Sequence, residues 1–275
     1  MMLTSRVQSI SRCGRSAPSA KASRRVVSVV CHGHGHGHGH GHGHGHGGQA
    51  TAVLTEKDKG FIAEMRKVAM KLHTKDQAPK EGGKETPKQQ GPWTPTLEGY
   101  LLFLTESKAV YDTFERLVKQ RDEYAALRDT GLERAEGLAT DIAWYEKTYS
   151  MTAPKLSEEG PGLTYCRLIE KLAVEDPPAF ICHYYNFYFA HTAGGRMIGN
   201  KVSGMLLEGH TLEFYKWSSG DVNELLERVR KSINVMAEGW SEAARAHCLE
   251  ETEASFKYSG VILRCITTAT SATTA

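Results

Sequence analysis

"FAHTAGGRMIG", residues 189–199, breaks an otherwise helical run with two adjacent glycines, Gly194 and Gly195. Each costs roughly 1 kcal/mol against alanine in a helix interior. Such a pair marks a bend, a helix end, or a surface that must come very close to something else. Successive glycines strip the side chains from one patch of helix, so bare backbone can lie in van der Waals contact with a flat ligand. Close helix–helix packing and a stop at "AGG" are the competing explanations. Just upstream, "HYYNFYFA" (183–190) is dense in aromatic rings. Such rings build a core. They also suit the wall of a large planar ligand, with a tyrosine hydroxyl available to an acid group.

Helical periodicity continues on both sides. Phe61, Ile62, Met65, Val68, Ala69 and Leu72 recur at steps of three and four, with Thr55 as the expected N-cap. A Pro/Gly/Lys-rich loop covers 76–95. Further helices are expected over about Thr96–Lys119, 130–149, Thr164–Glu175, Asp221–Glu238 and Ser241–Ile266, with "SEEGPGLTY" and "EDPPAF" as breaks. No segment alternates as a half-buried strand would. The pattern predicts an all-α single domain over 55–266, with roughly seven to nine helices and no internal repeat.

The first 31 residues carry five Arg, one Lys, seven Ser and no acid, and the first acidic residue of the chain is Glu56. This composition predicts an organelle transit peptide. Removing those six cations takes the net charge from +2 to −4, which argues against a general nucleic-acid binder. The longest apolar run, "YLLFL" (100–104), falls far short of the roughly 20 residues a membrane span needs. Among the six cysteines no CxxC spacing occurs, so reduced thiols are expected rather than a disulfide framework or zinc site. Residues 32–54 hold eight histidines, His32 to His46, alternating with glycine. Such a tract cannot bury apolar surface and is expected to be disordered, as is the 267–275 tail. It is either a spacer or a chelator of Ni, Cu or Zn, with no rigid site specified.

In the first helix His73 shares a face with Ile62, Arg66 and Ala69. A histidine there is either a satisfied core residue or a metal ligand. Arg66 lies two turns away, roughly 10 Å. That separation suits a ligand with a cation at one end and an anion at the other. A planar ligand carrying a metal and two carboxylates is haem. One histidine facing a bare helix leaves an axial position open for a gas.

The stretches "KLHTKDQA", "GLERAE", "FICHYYNFYFAHTAGGRMIG", "LEFYKW" and "HCLEETEASFKYSG" occur in family order. Through them the chain resembles the plant and algal chloroplast haem oxygenases over residues 58–264. The resemblance implies an all-helical haem-oxygenase fold with haem sandwiched between a proximal and a distal helix. It implies His73 as the axial iron ligand, Gly194 and Gly195 on the distal helix over haem, and Arg66, Tyr185 and Arg230 on the propionates. Arginine suits that task through its forked donors. Animal members have a Gly-Asp pair where this chain has Ala190-His191, and that aspartate orders distal water. His191 therefore either helps organise water and proton delivery or merely packs.

The implied reaction cleaves haem, both substrate and cofactor, to biliverdin, ferrous iron and carbon monoxide. It uses O2 and electrons from reduced ferredoxin in the chloroplast stroma. An acidic ferredoxin calls for a basic patch, for which Lys57, Lys59, Arg66, Lys67 and Lys71 are candidates beside the alternative of a solvated helix face. A monomer is the default expectation. The rival functions are a plastid haem or tetrapyrrole carrier without turnover, and a metal buffer built on the His-Gly tract.

Overall fold

The computed structural model describes residues 59–77 and 93–268. The leader, the His-Gly tract, Thr55, Lys57, most of the 76–95 loop and the tail past 268 lie outside the described residues, as do the side chains of 73–77. Eight α-helices are described: α1 (Gly60–Gln77), α2 (Leu97–Gln120), α3 (Ala135–Tyr149), α4 (Pro161–Glu175), α5 (Pro177–Ala190), α6 (Arg196–Leu206), α7 (Val222–Glu238) and α8 (Glu242–Arg264). A π turn at His191–Gly195 and short 3-10 turns at Asp122–Leu127, Glu213–Tyr215 and Cys265–Thr267 complete the order, and no strand occurs among the described residues. The fold is all-α, as the periodicity predicts.

Four of the eight helix starts are set by short polar side chains that accept from otherwise unpaired N–H groups. Thr96 accepts from Gly99 N at 2.9 Å, Asp176 from Ala179 N at 3.1 Å and Ser241 from Ala244 N at 3.2 Å. Pro161 and Pro177 open α4 and α5, where a missing N–H costs nothing. The expected helix from 130 starts later, at Ala135. Glu133 accepts from Thr130 N, Thr130 Oγ1 and Gly131 N, each at 2.8 Å, and so holds 130–133 as a loop. Gly131 sits there at φ +82°, outside helical space. Glu115 of α2 then caps the new start, accepting from Arg134 N at 2.7 Å and Ala135 N at 2.9 Å.

α5 runs through the core. Phe180, Ile181 and Cys182 are fully buried, and Phe180 stacks on Tyr124 with ring centres 4.3 Å apart. Its polar side chains are satisfied by α8 and α4. Buried His183 has Nε2 3.0 Å from Glu251 Oε2 and Nδ1 2.9 Å from the Tyr165 hydroxyl. Burial pushes the His183 pKa down, with Glu251 pulling the other way. A neutral ring then donates to the carboxylate and accepts from the phenol. Asn186 Nδ2 donates to Ser255 Oγ at 2.9 Å, one turn further on. α1 is held differently. It packs chiefly on α7 and α8, with Phe61, Ile62 and Met65 buried. Asn234 of α7 caps it, Oδ1 accepting from Ile62 N at 2.9 Å.

Candidate functional site

Three helices bring the predicted anion-binding residues together. Tyr185 of α5 is 5 % exposed, and its hydroxyl feels the charges of both Arg230 of α7 and Arg66 of α1. Burial raises the phenol pKa, while the two guanidinium groups and a hydrogen bond from Arg230 draw it back. The Arg230 guanidinium lies 5.0 Å from the centre of the Phe189 ring, which itself packs on Tyr185 at 4.3 Å. Arg230 also pairs with Glu227 one turn earlier. Its Nε is nevertheless buried without a hydrogen-bond partner. Arg66 is exposed on α1, and His73 follows it on the same helix by seven residues, its side chain outside the described residues.

The distal run bends where the glycines are. Residues His191–Gly195 form a π turn between α5 and α6, in which Arg196 N–H bonds to the His191 carbonyl five residues back. A π turn adds a residue to the helical circuit, and such bulges recur at functional sites. A Cβ built on exposed Gly194 would meet nothing within 4 Å among the described residues. Among the described residues the glycine pair therefore neither ends the helical run nor packs on another helix. Close packing falls instead to Gly199, whose Cβ would enter the Tyr215 ring. A Cβ on Gly195 would stand 2.9 Å from His191 Nδ1.

His191 is 8 % exposed. Its Nε2 lies 2.7 Å from the Phe214 carbonyl oxygen, and its ring stacks on Phe214 at 3.9 Å. Burial pushes its pKa down to about 3; the Phe214 carbonyl opposes this, and the charges of Arg134 and Arg196 add to it. The imidazole is thus neutral at any physiological pH.

The Glu213–Tyr215 turn and its anchors on α3 are the part that sequence reasoning missed. Asp141 accepts from Glu213 N and Phe214 N, each at 2.7 Å, and buried Arg134 donates to the Lys216 carbonyl. The guanidinium groups of Arg134 and Arg196 stand 5.0 and 5.6 Å from the centre of the Trp217 ring. The available signals were "GLERAE" and "LEFYKW", which the resemblance used but no residue-level argument explained.

The residues fit a flat ligand with acidic substituents. Arg230 Nε at the anchor end and Trp217 Nε1 beside His191 are the buried side-chain nitrogens left without partners among the described residues. The helical run that links Tyr185 to His191 continues into a face with no side chain at Gly194. Orphaned donors of this kind point to a ligand or water. A separate cavity of about 580 Å³, lined by Tyr184, Tyr188, Glu115 and Glu133 among others, shares no residue with this cluster.

Residues 88–264 match the Heme oxygenase family model. Heme oxygenase 1, chloroplastic, of Arabidopsis thaliana is 54% identical over 217 residues, which cover 76% of this chain and 75% of that one. The protein of the same name from Oryza sativa subsp. japonica is 51% identical over 225 residues, covering 80% of this chain and 75% of that one. Among solved structures, heme oxygenase-1 of the cyanobacterium Synechocystis in complex with heme superposes with a TM-score of 0.58 at 17% identity. That match covers 75% of this chain and 92% of that chain, and it speaks to the fold.

Proposed function

The chain belongs to the heme oxygenase family, and on that premise we propose how its own residues hold haem and manage the oxygen side. It is a haem-degrading enzyme and, like its plant relatives, a chloroplast protein. Arg66, Tyr185 and Arg230 take the propionates. The observation that carries this is their convergence from three helices, with Arg230 Nε buried and unpaired. Guanidinium–carboxylate bonds are charge-assisted and bidentate, so they fix the rotation of the ring and with it the edge presented for cleavage. His73, two turns along α1 from Arg66, would supply the imidazole that holds the iron. When bound, haem supplies the iron that activates O2.

On the α5–α6 side the π turn and Gly194 would let backbone lie against haem with no Cβ in the way. Neutral His191 cannot donate from Nδ1 while Nε2 is engaged by Phe214, so its part is to accept a hydrogen bond from water on that side. The products are biliverdin, ferrous iron and carbon monoxide, and the electrons come from reduced ferredoxin in the stroma. Exposed Lys59, Arg66, Lys67 and Lys71 on or next to α1 support an acidic donor docking there.

The test is turnover of the haem-loaded full chain with O2, reduced ferredoxin and its reductase. Loss of the Soret band with rising bilin absorbance is expected. A stable Soret band under those conditions would leave a haem carrier.

A further inference from the structure

We propose that Asp141 is a positioning residue for the oxygen side: through the 213–216 turn it fixes His191 as the Nε2–H tautomer and leaves the Nδ1 lone pair open under the Gly194–Gly195 face. This rests on the reading of that face as the one that covers haem.

Gly137 and Asp141 lie four residues apart on one face of α3, and Arg134 is the residue that immediately precedes the helix. All three grip the same turn. Asp141 is 2 % exposed and uses both oxygens, Oδ1 on Glu213 N and Oδ2 on Phe214 N, each at 2.7 Å. An amide would offer one oxygen and a clashing NH2, so this position is specific for a carboxylate. A Cβ on Gly137 would already stand 3.4 Å from the Glu213 carbonyl, so the turn lies directly on the helix. Arg134 holds the far end through the Lys216 carbonyl.

Between these grips the Phe214 carbonyl is aimed at His191 Nε2, 2.7 Å away. A carbonyl has no hydrogen to give, so Nε2 must carry one. A neutral imidazole has only one, which makes Nδ1 a bare acceptor. Two observations keep that acceptor usable. Burial, and after it the charges of Arg134 and Arg196, oppose protonation of the ring. The missing side chain at Gly195 leaves Nδ1 uncovered, since a Cβ would stand 2.9 Å from it. No donor among the described residues takes Nδ1. An acceptor held there orients a water with its hydrogen toward His191 and its oxygen lone pairs toward the ligand side. If the turn loosens, the ring is free to adopt the other tautomer, and the acceptor becomes a donor.

The test begins without haem. Nitrogen-15 spectra of the histidine-labelled full chain, with His191→Gln to assign the signals, read the tautomer at neutral pH. The wild type is expected to show protonated Nε2 and unprotonated Nδ1 at His191. Asp141→Asn, with folding checked by circular dichroism, is expected to show a mixture of tautomers. In the ferric haem complex the same variant should shift the pH of the acid–alkaline transition by about one unit, a tenfold effect typical of losing an outer-sphere partner. Haem affinity should stay within about twofold, since the anchors are untouched.

A wild-type His191 protonated on Nδ1 overturns the proposal, as does a folded Asp141→Asn with an unaltered tautomer. A changed tautomer with an unmoved ferric transition overturns it too. Should Asp141→Asn not fold, Gly195→Ala replaces it, and an unmoved transition there has the same force. Because the tautomer is read in the haem-free chain, failure of the haem-binding reading would be seen separately.

Discussion

The two helices assigned to haem, α1 and the α5–α6 run, are secured in opposite ways. α5 is buried on nearly all sides, with nine of its 14 residues inside. α1 buries Phe61, Ile62 and Met65 near its start and is half-exposed or exposed from Arg66 to Leu72. One helix is fixed along its length and opens only after Ala190. The other buries its large apolar side chains near its start and is more exposed from Arg66 to Leu72. A ligand plane between them can be gripped by a rigid wall and approached by a compliant one, and local stability differs across a fold in just this manner.

The strongest way to break that comparison is to hollow out the rigid side. Phe180→Ala removes a ring with no exposure that packs on Tyr124 and on Phe114. It is expected to destabilise the fold by about 3–5 kcal/mol, read from denaturant titration. At the junction of the two helices, Arg230→Met should weaken haem binding by roughly 10- to 100-fold, following the loss of hydrogen bonds to a charged group. Titration of the Soret band measures this, and thermal stability should change far less.

The compliant side is tested through its cap. Asn234→Ala leaves the Ile62 N–H unpaired and should cost about 1 kcal/mol. Hydrogen exchange should quicken over the start of α1 and stay unchanged in α5; equal acceleration in both would contradict the difference between them. The smallest stability effect is expected at Gly194→Ala. The methyl group meets open space, so stability should hold or rise by up to about 1 kcal/mol. Haem turnover should nevertheless fall, because the methyl occupies the face where backbone meets haem.

Periodicity and caps made much of the fold legible. Thr96, Asp221 and Ser241 are N-caps where helix starts were expected, and Pro177 opens the helix that leads into the glycines. The start of α3 was not legible. It is decided by Glu115, 19 residues before Arg134, and by a three-acceptor clasp at Glu133. The glycine pair announced a bend, but a π turn is a matter of which carbonyl an N–H selects, and no residue type encodes that choice.

The site residues divide similarly. Arg66 and His73 share a helix face that spacing reveals. That Tyr185 and Arg230 meet Arg66 depends on how three helices cross, and only the family resemblance anticipated it. Asp141 was invisible, since a polar residue in a helix looks solvated until its partners, 72 and 73 residues away, are placed against it.

On the proposed reading haem binds with its iron on the α1 side at His73. Resonance Raman spectra of the ferrous haem complex test it directly, comparing the wild type with His73→Ala. An iron–histidine stretch in the wild type, lost in a variant that still binds haem through Arg66, Tyr185 and Arg230, is the predicted result. An unchanged stretch in His73→Ala would contradict the assignment and put the ligand elsewhere.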